Sequence, residues 1–222
     1  MQGWKDVKGM NTLFAIHRHN VPTNKTISHI RMVAAFHTQK PDTHRIHITI
    51  RGNKISVKYH IRTPTADLST AKIIINSTLS TRGARWAGFD LVNMYLNTNL
   101  KDYESLRVHT YQIPEEFIQE YNLQQFVTPN GWVFFKIRKG VYGLPQSGVR
   151  AHTKLTSVLA PHGYAPTKNT PGLWTHSTRT IAFALVVDNF GVNYIGEEHA
   201  KHLLDILLKN DEGVHEDWGG KK

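Results

Sequence analysis

Two aspartates stand where a chain can aim carboxylates at a metal. Asp188 lies between two runs rich in β-branched and aromatic residues, Ala184–Val187 and Phe190–Ile195. With Asn189 it reads as the tight turn of a β-hairpin carrying an acid at its tip. Asp90 ends a second short apolar run, Trp86-Ala87-Gly88-Phe89, and is followed by Leu91-Val92-Asn93-Met94-Tyr95-Leu96. Asp and Asn are ordinary turn formers, so each position taken alone has a plain explanation. Two strand-end carboxylates on strands that pair make something more specific, a hard oxygen site suited to Mg²⁺. Such a site supports two-metal phosphoryl transfer.

The chemistry must be carried by a globular chain with a polyanionic partner. The sequence has 222 residues, 40% of them hydrophobic, enough to build one large or two modest cores. Against 17 acids stand 27 Lys and Arg, a formal net charge of +10 that favours nucleic acid over an acidic small molecule. There is no cysteine, which excludes disulfides and thiolate zinc sites and leaves carboxylate or His to bind any metal. No apolar run approaches the ~20 residues that span a bilayer, and the opening Met1-Gln2-Gly3-Trp4-Lys5-Asp6 has no signal-peptide core. The expectation is an intracellular protein, cytoplasmic or nuclear, with no membrane partner.

Several elements must position the two acids. Thr12–Ile16, Ile27–Phe36, Ile46–Ile50 and Ile55–Tyr59 read as strands, with Lys25, Arg31, Lys40, Arg45, Arg51, Lys54, Lys58 and Arg62 recurring on and between them. A helix is predicted from Thr65 as N-cap through Leu79, burying Leu68, Ala71, Ile75 and Leu79. Arg85–Leu91 is a strand, Val92–Asn97 turns into a helix, Leu106–Val108 is a short strand, Pro114–Glu120 a short helix and Trp132–Arg138 a strand. A Gly- and Pro-punctuated loop, Val141–Gly148, leads into a helix from about Ser147 to His162. Pro171-Gly172-Leu173-Trp174 breaks the chain before the hairpin, and Glu197–Lys209 is a helix with Leu203, Ile206 and Leu207 inward. The pairs His199/His202, His17/His19 and His44/His47 have no evident third ligand and read as surface histidines.

Three blocks in order carry a family resemblance: Phe89-Asp90-Leu91-Val92-Asn93-Met94-Tyr95-Leu96, then Val141-Tyr142-Gly143-Leu144-Pro145-Gln146-Ser147-Gly148, then Val186-Val187-Asp188-Asn189. They resemble the ordered motifs of copia-type LTR retrotransposon reverse transcriptases, and Lys72–Thr81 and Pro171–Trp174 look like that family's spacer segments, so the likeness covers nearly the whole chain. It implies an α+β fold, a palm of antiparallel strands with packed helices plus a β-rich fingers region, with thumb and RNase H absent. The expected division is fingers-like 1–84, palm-like 85–210 and a truncated polar tail 211–222.

The resemblance also implies roles. Asp90 and Asp188 would be catalytic and, with the Leu91 carbonyl, would hold two Mg²⁺ ions, for which Mn²⁺ could substitute. Tyr95 would be the aromatic gate that excludes a ribose 2′-hydroxyl. Gln146 would contact nucleotide and template, and Arg31 the triphosphate. The partners would be an RNA or DNA template with its primer and deoxynucleoside triphosphates. The family places two adjacent acids in the hairpin, whereas the second position here is Asn189, which keeps an oxygen ligand and removes a negative charge. That departure predicts weak or absent catalysis. A catalytically inactive nucleic-acid-binding remnant is the competing reading, and a product that does not fold alone is a third.

Overall fold

Strand pairing gathers the chain into two sheets that cut across sequence order. The computed structural model describes residues 10–36, 44–57 and 61–219. Its strands are β1 (Leu13–Ile16), β2 (Ile27–Phe36), β3 (His44–Ile50), β4 (Arg85–Leu91), β5 (Asn99–His109), β6 (Trp132–Lys139), β7 (Tyr164–Pro166), β8 (Leu173–His176), β9 (Ile181–Val186), β10 (Asn189–Tyr194) and β11 (Val214–Asp217). Among the described residues the α-helices are α1 (Leu68–Ser80), α2 (Glu115–Glu120), α3 (Ser147–Leu159) and α4 (Glu197–Asn210). The fold is mixed α and β with two sheets. Lys40, Lys58 and the end of the predicted Ile55–Tyr59 strand fall outside the described residues.

The first unit comprises 1–61 and 95–150. Its sheet has the order β1-β6-β5-β2-β3, antiparallel throughout except between β2 and β5. Alternation along β6 sends Val133, Phe135 and Ile137 into a core shared with Leu106, Val108, Ile30, Ile48 and Ile50. The second unit comprises 62–94 and 151–222 and is built on a sheet of order β11-β4-β10-β9-β8-β7. One face of that sheet buries Phe89, Phe190, Phe183, Leu185 and Trp174. The other presents Trp86, Ala182 and Ala184 to Ile74 of α1, which leaves the phenylalanine face to α4, packed on β4, β10 and β11.

Both units are discontinuous in sequence, unlike the expected regions 1–84 and 85–210. The reason is non-local: β5 and β6, expected beside the palm strands, pair with the N-terminal strands. The tail expected over 211–222 supplies a strand, because β11 closes the edge of the second sheet against β4.

Local expectations shift in four further places. Asp67, not Thr65, caps α1, its carboxylate accepting from the Thr70 N–H at 2.7 Å. The buried face of α1 is Thr70 and Ile74, while Leu68, Ile75 and Leu79 are exposed; Ile74 packs with Ala66 and Ala184 and against Trp86, Leu173 and Ala182. Val92–Asn97 is a run of turns rather than a helix, interrupted by Asn93 in the left-handed region at φ 55°. A short 3₁₀ turn at Gly52–Lys54 is followed by no strand over 55–57.

Candidate functional site

The hairpin turn sits one residue earlier than its sequence suggested. β9 and β10 pair with Val186 opposite Asn189, so the two-residue turn is Val187-Asp188 and Asn189 already belongs to β10. Val187 carries the turn at φ 59°. A β-branched residue rarely occupies that region, so the loop holds backbone strain at the acid's immediate neighbour.

Pairing of β10 with β4 then brings the second acid alongside. Asn189 lies directly opposite Asp90, and Phe190 opposite Phe89. The Leu91 N–H donates to the Asp188 carbonyl at 3.0 Å, fixing the turn against the end of β4. Asp90, Leu91, Asp188 and Asn189 therefore share one end of two neighbouring interior strands, although the two acids are far apart in the chain. Asp90 and Asp188 are half-buried, Asn189 is exposed and Leu91 is buried. On the other side of β4, His215 of β11 pairs with Asp90. Sequence reasoning missed His215, since the tail's polar, Gly-containing composition carries no strand signal.

Electrostatics mark Asp188. Burial raises its carboxyl above the usual range, and the nearby Asp90 charge raises it further, while hydrogen bonds from its own backbone and from Asn189 pull the other way. The Asn189 Nδ2 donates to Asp188 Oδ1 at 2.9 Å. A divalent cation would relieve the repulsion between two carboxylates held in this way, and carboxylate oxygens are donors suited to Mg²⁺. Among the described residues no group of three or more His, Asp or Glu is placed to hold a metal ion.

The remaining candidates lie in the first unit. Tyr95 is half-buried, its ring 5.0 Å from that of Tyr142 in an edge contact. The backbone of Tyr95 and the Ser147 hydroxyl both close on Gly140, so the start and end of the Gly140–Ser147 loop are tied to the segment after β4. Ser147 Oγ accepts from the Val141 N–H at 3.0 Å and donates to the Val141 carbonyl at 2.9 Å. The Ile50 N–H donates to the Tyr142 carbonyl at 2.8 Å, and Gly143, at φ 90°, rests on the Ile50 backbone with no room for a side chain.

This clamp presents Gln146, which is buried. Its Nε2 donates to Glu104 Oε1 at 3.0 Å, while its Oε1 has no partner. Glu104 is itself buried, its carboxyl raised by desolvation against the opposing pull of Lys25, 3.6 Å away, and of Gln146. Gln146, Glu104 and Lys25 line a pocket of about 430 Å³. Arg31 is exposed on β2, its carbonyl accepting from Thr49 Oγ1 at 3.1 Å. Of the histidines noted in pairs, His202 has its Nδ1 3.1 Å from the Tyr164 hydroxyl, His199 has its Nδ1 3.2 Å from Arg179, and the rings of His17 and His19 stack on each other.

No family model matches the chain, and no curated protein matches it either. Among the described residues no helix is long and apolar enough to cross a membrane.

Proposed function

We propose that this chain is the fingers–palm portion of a copia-type reverse transcriptase, whose chemistry is template-directed addition of a deoxynucleotide to a primer 3′-hydroxyl. The observation that supports this reading best is the β4–β10 register. It sets Asp90 beside the Asp188 turn at one end of the paired strands, with the Leu91 N–H bonded to the Asp188 carbonyl.

In this reading Asp90 and Asp188 hold Mg²⁺ or Mn²⁺, with the Leu91 carbonyl as a further oxygen. When bound, the two ions supply activation of the primer hydroxyl and neutralisation of the triphosphate. The Val187 turn and the bond from the Leu91 N–H hold the Asp188 backbone beside the end of β4. Tyr95 serves as the sugar gate, Gln146 as a nucleotide or template contact and Arg31 as a triphosphate contact. The template is RNA or DNA.

One observation favours the second reading, an inactive nucleic-acid-binding remnant. The Asn189 amide occupies an Asp188 oxygen and brings no charge of its own. Primer extension with Mg²⁺ and with Mn²⁺ separates the two. The chain should extend poorly, Asn189→Asp should improve extension, and Asp188→Asn should abolish what remains. Robust extension unaffected by either change would show that the hairpin is not the metal site. No extension by any of the three, with template binding retained, would select the remnant.

A further inference from the structure

The five-stranded sheet of the first unit buries one face; on the other, Phe134 is covered, with the Arg18 guanidinium 5.2 Å from its ring, while Phe14 and Tyr103 stay open. On β6, Trp132, Phe134, Lys136 and Arg138 alternate with the core residues. Register sets Phe14 of β1 beside Lys136, and Arg107 and His109 of β5 beside Phe134 and Trp132. The face is therefore aromatic and cationic at once.

The pairing is intimate. The Arg138 guanidinium lies 4.5 Å from the Phe14 ring centre and 5.7 Å from that of Tyr103. Lys136 lies 5.2 Å from Tyr103, and Arg107 lies 4.5 Å from Trp132. Phe14 and Tyr103 remain 37% and 41% exposed, so each ring offers surface that its cation does not cover. Among the described residues none of Arg107, Lys136 and Arg138 forms an ion pair with a carboxylate. Lys136 stands in register with Phe14 and His109 with Trp132, while Tyr103 lies in the irregular stretch of β5 between Asp102 and Glu104.

A surface built only for solubility has no use for half-exposed rings, and one built only for stability would pair its cations with acids. Rings on a sheet face, flanked by cations that have no acidic partner, match a strand that presents unpaired bases and phosphates alternately. We infer that this face of the first unit is a binding platform for single-stranded nucleic acid, with Phe14 and Tyr103 stacking bases and Lys136 and Arg138 holding phosphates. An acidic peptide would satisfy the cations and leave the rings unused. A duplex keeps its bases stacked on one another. The platform goes beyond the polymerase reading, since it uses none of the residues proposed for catalysis.

The test is fluorescence anisotropy of a labelled oligo(dT) strand titrated with the whole chain across a salt series. Tyr103→Leu and Phe14→Leu keep an apolar side chain on the strand and remove the stacking ring. Each should weaken binding at least fivefold. Lys136→Gln with Arg138→Gln should weaken it tenfold or more and reduce the salt slope by about 1.4, the value for two phosphate contacts on a single strand. Asp90→Asn should leave this binding unchanged while removing any primer extension, so failure here is distinguishable from failure of the polymerase reading.

Duplex bound as tightly as single strand, or loss of affinity only in the charge variant, would overturn the platform in favour of a bare electrostatic patch. Photocrosslinking of a bromodeoxyuridine strand to the unaltered chain removes any dependence on variant folding. Crosslinks should map to Phe14, Tyr103 or Trp132, and crosslinks confined to other strands would overturn the assignment.

Discussion

Gly143 gives the sharpest test of how the Gln146 loop is held. Replacing it with Ala forces a side chain into a backbone at φ 90°, where non-glycine residues pay ~1–2 kcal/mol. The new Cβ would also meet the Ile50 carbonyl, nitrogen and carbon, so the loop must lift from β3. Lifting it breaks the 2.8 Å bond from the Ile50 N–H to the Tyr142 carbonyl, a further ~1 kcal/mol. The sum is ~2–3 kcal/mol. At ~2–4 °C per kcal/mol for a chain of this size, Gly143→Ala should lower the melting temperature by roughly 4–12 °C. Gly88→Ala is the matched control. Its Cβ would meet only Asp217, with the Cβ 3.6 Å away, so it should be neutral or slightly stabilising in a strand. Thermal unfolding followed by circular dichroism reads both. Equal melting of the two variants would refute the argument that backbone approach, rather than glycine content, fixes this loop.

Three further outcomes follow from the hairpin and from Tyr95. Mg²⁺ at ten times its dissociation constant should stabilise the chain by about 1.4 kcal/mol, roughly 3–6 °C. The shift should vanish in both Asp90→Asn and Asp188→Asn, and a shift surviving in both would place the ion elsewhere. Because burial and Asp90 raise the Asp188 carboxyl, the folded state holds its proton more tightly than the unfolded chain does. Its contribution is therefore greatest below the ordinary carboxylate value and is lost as pH rises through the raised one. In chelator, the melting temperature of Asp188→Asn relative to the parent should accordingly rise with pH across that window and then level off; a flat difference would contradict the assigned cause. In any version that polymerises, Tyr95→Val should raise ribonucleotide incorporation relative to deoxynucleotide at equal folding, and an unchanged preference would remove the gate.

Sequence was informative where a pattern is local and strong. The β2 boundaries, the alternation of β6, and the inward Leu203, Ile206 and Leu207 of α4 all follow from periodicity and turn chemistry. It was silent where pairing is long-range. Nothing in Asn99–His109 announces that it joins β2 in parallel, and nothing in Val214–Asp217 announces an edge strand. The α1 face misled for a related reason. Leu68, Ile75 and Leu79 have helical spacing, yet the stripe that meets the sheet is the one carrying Thr70 and Ile74, with Ile74 packed among Ala184, Ala182, Trp86 and Leu173. At the hairpin, the residue types suggested a turn at Asp188-Asn189, and strand register moved it back by one. That shift matters, because it makes Asn189 a strand residue facing Asp90 rather than a turn residue beside it.

The Asn189 position then bears on both functional readings through a single amide. A carboxylate oxygen calls for a donor, so the NH₂ of Asn189 must face Asp188, and the 2.9 Å contact is that arrangement. To offer its oxygen to a cation the amide has to rotate and surrender the bond. A hydrogen bond to a charged group contributes ~1.5–3 kcal/mol, equivalent to roughly 10–150-fold in metal affinity. Aspartate at the same place would have no bond to surrender and would add a charge. The same hydrogen bond stabilises Asp188 in its ionised form without any metal, against burial and the Asp90 charge. One substitution thus makes the metal-free hairpin more comfortable and the metal-bound one harder to reach. The binding remnant needs only the first effect, whereas the polymerase must overcome the second.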